Sequence, residues 1–152
     1  MQQLNFPTYP FRVKNSENRN FIFDSIRKKF IVLTPEEWVR QHTVQYLIQE
    51  KNYPTGLINV ERQLLLNNIP KRYDVVVYNS DGSVWMIVEC KAPQVQITQD
   101  TFDQIARYNM ALNSRFLLVT NGLHHYSCRM DYEENKYVFL KDIPVHPNSK
   151  DK

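Results

Sequence analysis

Two apolar strands flanking one short turn constrain this chain more than any other feature. Tyr73 to Tyr78 and Val84 to Lys91 are rich in valine, isoleucine and tyrosine, and Asn79-Ser80-Asp81-Gly82 stands between them. Such runs bounded by Asp-Gly read as a β-hairpin. A two-residue Asp81-Gly82 turn pairs Ser80 with Ser83, and counting outward sets Asp74 directly opposite Glu89. Side chains alternate along a strand. Asp74, Val76 and Tyr78 therefore share a face with Trp85, Ile87, Glu89 and Lys91, while the other face takes Val75, Val77, Met86, Val88 and Cys90. Both faces are largely apolar, as in a sheet covered on both sides.

Helices supply the covers. Thr34 to Lys51 reads as the first, with Thr34 as N-cap, Pro35 at the first helical position and Glu37 completing a capping box. Val44, Leu47 and Ile48 share a face of it, and Glu37 lies two turns earlier near the centre of that stripe. Thr98 to Leu112 reads as the second helix. Leu57 to Leu66 and Arg115 to Thr120 read as further strands, the latter central because it is almost continuously apolar. Tyr126 to Met130 and Tyr137 to Leu140 read as edge strands. The expectation is an α/β fold whose central mixed sheet has about four to six strands flanked by helices. Residues 1–33 read as an N-terminal arm, 34–143 as the domain, and 144–152 as a polar tail expected to fray.

Composition excludes several functions. The three glycines, Gly56, Gly82 and Gly122, cannot spell a P-loop or a dinucleotide-binding fingerprint. Two cysteines without C-x-x-C spacing signal neither a disulfide framework nor zinc, which fits a reduced cytoplasmic setting. The longest apolar run, Val84 to Val88, is too short to cross a membrane, and the start has no secretory pattern. The net charge of +3 is compatible with a nucleic-acid partner without arguing for one.

Chemistry concentrates on the hairpin. Two carboxylates directly across a ladder repel each other. A hard divalent cation between them removes that cost, and magnesium takes one or two carboxylates plus waters and phosphate oxygens. Lys91, two residues from Glu89, points to the same side. The stretch Arg72-Tyr73-Asp74 with Val88-Glu89-Cys90-Lys91-Ala92-Pro93 resembles the PD-(D/E)xK nuclease superfamily. More narrowly it resembles the nuclease domain at the N-terminus of type I restriction enzyme R subunits. Gln104-Ile-Ala-Arg-Tyr108 matches the Q-x-x-x-Y motif of that branch, and Thr120-Asn121-Gly122 also fits. Tyr73 stands where the superfamily has its proline, with Pro70 four residues before Asp74.

The resemblance implies a restriction-endonuclease-like core and metal-assisted DNA hydrolysis. It implies Asp74, Glu89 and the Cys90 backbone carbonyl as ligands of Mg²⁺, for which Mn²⁺ would substitute. Lys91 would position water, Glu37 would bind metal-bound water or a second ion, and Gln104 and Tyr108 would contact substrate. DNA is the implied partner, with a homodimer or a helicase or methyltransferase subunit on another chain as further ones. R subunits normally carry a helicase motor, and the glycine count leaves no room for one here.

Plainer readings stand beside these. The capping box alone accounts for Glu37, and Thr101-x-x-Gln104 is itself a capping box. Tyr108 could be core, Glu61 second to the site or exposed, and Cys90 a small buried hydrophobe. Adjacent His124 and His125 point to opposite faces and suit a loop. Lys28-Lys29 and Lys71-Arg72 could touch phosphates or simply solvate a surface. The alternative function is a catalytically silent module that binds nucleic acid or a partner. Intact Asp74, Glu89 and Lys91 argue against it.

Overall fold

The computed structural model describes residues 1–149. The chain first forms an antiparallel meander of β1 (Val13–Ser16), β2 (Arg19–Asp24) and β3 (Lys29–Val32). Helix α1 (Pro35–Gln49) follows, then β4 (Ile58–Leu66), β5 (Ile69–Tyr78) and β6 (Val84–Cys90). Helix α2 (Gln99–Asn109) leads to β7 (Phe116–Thr120), β8 (His125–Asp131) and β9 (Lys136–Leu140). The last six strands make one mixed sheet in sequential order, β4 to β9. Only β6 and β7 are parallel, and α2 is the crossover that a parallel pair requires. This is the α/β architecture with a central mixed sheet that the sequence predicts.

The two sheet faces carry separate cores. Val75, Val77, Met86, Val88 and Cys90 pack with Val39, Val44 and Leu47 of α1. Val76, Ile87, Leu117 and Val119 pack with Phe102 and Ala106 of α2. Both helices begin where their caps place them. Thr34 Oγ1 accepts the Glu37 N–H at 3.0 Å, and the Thr98 side chain accepts the Thr101 N–H at 3.2 Å. That second cap is at Thr98, so the Thr101–Gln104 capping box does not form.

The hairpin reaches the expected register by an unexpected route. The Asn79 N–H donates to Ser83 O at 2.8 Å and the Gly82 N–H to Asn79 O at 3.0 Å. Ser80-Asp81-Gly82 is thus a three-residue loop, with Gly82 in the left-handed position at φ +89°. Tyr78 pairs with Val84 but Val77 pairs with Met86, leaving Trp85 as an extra residue in β6. The longer loop moves the register by one residue and the bulge moves it back. Trp85 is turned by the bulge to the α1 side, against Tyr53 and Phe116, instead of standing on the face of Asp74.

Other boundaries also differ. The turn after β4 is only Asn67-Asn68, both with positive φ, so β5 starts at Ile69 and includes Pro70 and Lys71. Strand β8 is interior, and only β9 forms that edge. The tail does not fray as far as Ser149. His146 is 1 % exposed, its Nε2 bonds the Tyr78 carbonyl at 3.0 Å, and its ring packs on Trp85 at 4.7 Å. Residues 150–152 lie outside the described residues. The N-terminal arm is tied in as well. Leu4 is buried in the α1-side core, and Trp38 Nε1 donates to Gln2 O at 2.7 Å.

Candidate active site

Three adjacent strands each bring a carboxylate to one rung. Val75 pairs with Val88, the last pair of that ladder, and Asp74 of β5 and Glu89 of β6 lie just beyond it. On the other side, Val60–Val75 and Arg62–Tyr73 bracket Glu61 of β4 against Asp74. Glu61 interrupts that ladder with φ +51°, a conformation disfavoured for any residue with a side chain.

Asp74 sits at the centre. Its Oδ2 accepts the Cys90 N–H at 2.7 Å, which locks β5 to β6 at the site. Burial pushes its pKa up to about 7, and Glu89, Glu36 and Glu61 add to the rise against the opposing Cys90 hydrogen bond. Burial also raises Glu61, with Arg40 pulling the other way.

The flanking acids have partners that Asp74 lacks. Glu89 Oε1 lies 3.4 Å from Lys71 Nζ. The Lys71 ammonium also sits 4.1 Å from the ring centre of Tyr108 and 4.7 Å from that of Tyr73. Burial pushes the Tyr73 hydroxyl up to about 12, with Glu89 and Tyr108 contributing. On the opposite side Glu37 accepts from Arg40 Nε at 2.8 Å and from Gln41 Nε2 at 3.3 Å. The Arg40 guanidinium, 2 % exposed, also bonds buried Asp24 of β2 at 2.7 Å and lies 4.0 Å from Glu61. Burial alone would raise the Asp24 carboxyl, but Arg40 and Arg27 hold it below its ordinary value.

Lys91 follows β6 immediately. Its backbone N–H donates to Thr120 O at 2.8 Å. Its half-buried side chain makes no hydrogen bond or ion pair among the described residues. The Thr120-Asn121-Gly122 segment builds the turn beneath it. Asn121 Oδ1 accepts the Leu123 and His124 N–H groups at 2.9 and 2.8 Å, and its Nδ2 donates to Val95 O at 2.8 Å. The Cys90 side chain is buried on the α1 side, and burial raises its thiol well above the ordinary value.

The structure thus groups Asp74, Glu89 and Lys71 with Tyr108, and places Glu37 in the Arg40 network beside Glu61. Gln104, one turn before Tyr108 on α2, is exposed, and its side chain makes no hydrogen bond among the described residues. His125 is structural: its ring bonds Thr120 Oγ1 at 2.7 Å and Asn5 O at 2.8 Å. Sequence reasoning weighed Lys71 only as a phosphate contact or a solvated surface charge, because the strand was expected to start after it. It placed Arg40 only beside the apolar stripe of the first helix and missed its pairing with Asp24, which spans the meander and the helix. A cavity of about 620 Å³ lined by Ser83, Arg115 and Arg129 lies at the turn end of β6, away from Glu89.

Among the described residues no three His, Cys, Asp or Glu side chains converge closely enough to hold a metal ion by themselves. No helix among them is long and apolar enough to cross a membrane. No curated protein matches the sequence significantly. A family model described as the type I restriction enzyme R protein N terminus does match, over residues 35–144. That span runs from the first turn of α1 to beyond β9, most of the chain, and the chain therefore belongs to this family.

Proposed function

We propose that this chain is a metal-dependent nuclease of PD-(D/E)xK type that hydrolyses DNA phosphodiester bonds. The observation that carries the reading is the charge imbalance at Asp74. Its carboxyl is pushed up to about 7 by burial and by Glu89, Glu36 and Glu61, and it bonds a single backbone N–H. A divalent cation at this position would offset that repulsion. The donor set fits magnesium, which needs only one or two carboxylates and completes its shell with waters and phosphate oxygens. The lack of a three-side-chain cluster is compatible with that chemistry.

Asp74 and Glu89, with the Cys90 carbonyl, would hold Mg²⁺ or Mn²⁺. The bound ion would polarise a phosphate oxygen and make water a better nucleophile. Lys91 has a free ammonium to orient the attacking water or to offset charge developing on the phosphate. Glu37 would hold water beside the site, and Gln104 and Tyr108 would line the approach of the substrate from α2. Membership of a type I restriction family supports DNA as substrate. Helicase or methyltransferase subunits on other chains are the partners it implies, and a homodimer would cut two strands. One contact favours a silent binding module instead: Lys71 already pairs with Glu89.

Supercoiled and single-stranded circular DNA incubated with the purified chain should be nicked with Mg²⁺ or Mn²⁺ and left intact in EDTA. Lys91→Ala should abolish nicking. No cleavage of either form with either ion would sink the enzyme reading.

A further inference from the structure

The net positive charge of this chain comes from its beginning. Residues 1–33 hold six lysines and arginines against two acids, a balance of +4. The remaining residues hold thirteen against fourteen, a balance of −1. The basic segment is the meander, which lies outside the family-matched residues.

Its strand register sorts the side chains. One face turns inward, burying Ile22 and Asp24. The opposite face follows from the pairs Lys14–Phe21, Ser16–Arg19 and Phe23–Phe30. The Phe23 N–H also bonds Arg12 O at 2.9 Å, adding Arg12 beside Phe23. Exposed cations lie over half-buried rings here: Arg12 is 4.6 Å from the Phe23 centre and 5.4 Å from Phe30, and Lys14 is 4.2 Å from Phe30. Arg19 is 5.8 Å from Phe21.

We propose that this outward face is a docking platform for single-stranded DNA. Flexible cations match a phosphate backbone, and rings at strand spacing offer stacking faces to unpaired bases. Paired bases hide their faces in the stack, so duplex DNA has less use for the rings. At one end Arg12 and Phe23 line a cavity of about 460 Å³ shared with Tyr9, Phe11 and Gln41 of α1. Gln41 donates to Glu37. That cavity thus shares a lining residue with the Arg40–Glu37 network. The choice of DNA over other polyanions rests on the nuclease reading.

Fluorescence anisotropy of a labelled oligo-deoxythymidine in EDTA measures binding without turnover. A triple variant, Arg12→Ala with Lys14→Ala and Arg19→Ala, should bind at least about tenfold more weakly at moderate salt and lose about 2 from its log–log salt slope. Phe21→Leu should weaken binding with the slope unchanged, because stacking releases no counterions. Circular dichroism must show both variants folded; a triple variant that unfolds is replaced by Arg12→Gln with Lys14→Gln, read in the same way. Wild-type affinity and slope in the folded variant would overturn the proposal. Tighter binding of duplex DNA or of RNA through the same residues would overturn the single-strand assignment. Absence of cleavage with platform-dependent binding intact would defeat only the nuclease reading.

Discussion

Replacing Asp74 with asparagine tests the electrostatics of the site while keeping its shape. The wild-type carboxyl sits at about 7 instead of 3.8, through burial first and then Glu89, Glu36 and Glu61. The folded chain therefore keeps a proton that the unfolded chain gives up between those values. Stability contributed by this group falls as pH rises from about 4 to about 7, and stays low above that. The difference corresponds to at most about 4 kcal/mol. Partial solvent access reduces the expected effect to about 2 kcal/mol. Asparagine never ionises, and its side-chain oxygen can still accept the Cys90 N–H. Asp74→Asn should match wild type near pH 4 and exceed it by about 2 kcal/mol near pH 8. Urea unfolding in EDTA, followed by circular dichroism at both pH values, reads the gap. Added Mg²⁺ or Mn²⁺ should recover the wild-type loss at high pH and leave the variant unchanged. A gap that stays flat across the range would refute the claim that the site is short of positive charge.

Lys91→Ala removes an ammonium with no partner, so its unfolding free energy should stay within about 0.5 kcal/mol of wild type while DNA nicking disappears. Arg40→Ala strands Glu37, leaves Asp24 with Arg27 as its only cation among the described residues, and should cost about 3–5 kcal/mol in chemical denaturation. Asp24 is held below its ordinary value by that arginine together with Arg27 and two backbone N–H groups, so the stability wild type loses as pH falls through the Asp24 titration should be smaller in the variant. Gly122→Ala should lower stability by about 1–3 kcal/mol in a thermal melt. The position has φ +86°, and a Cβ there would lie 2.9 Å from Leu4 Cδ2.

What could be read from the sequence was what neighbouring residues decide. Thr34 and Pro35 fixed the start of α1, because a cap needs only the next turn. The Val75–Val88 register leading to Asp74 and Glu89 was legible although the turn was not, since the loop and the Trp85 bulge compensate. Trp85 itself was misplaced for that reason: a bulge inverts every side chain between it and the turn. His146 was illegible, because a polar tail shows no periodicity and its site is formed by Tyr78, Trp85 and Tyr53 from distant elements. The Arg40 network was hidden in the same way. Its acids come from β2, α1 and β4, and no spacing along the chain links them.

These networks also explain why the charge deficit falls where it does. Five carboxylates crowd the rung: Glu36, Glu37, Glu61, Asp74 and Glu89. Arg40 approaches from α1 and serves Glu37 directly and Glu61 at longer range. Lys71 approaches from the start of β5 and serves Glu89. Each cation is held in place, Arg40 by Asp24 and Lys71 between two tyrosine rings. Asp74, between the two, is served by neither. A fold that needed only a stable sheet would do better with an apolar residue there, because an unpaired buried carboxylate is costly. Arg40 and Lys71 are engaged elsewhere, and the Lys91 ammonium, which makes no ion pair among the described residues, lies beyond the end of β6. On the proposed nuclease reading, Asp74 is therefore where an external cation would gain most, and Lys91 would be free for what that cation brings with it.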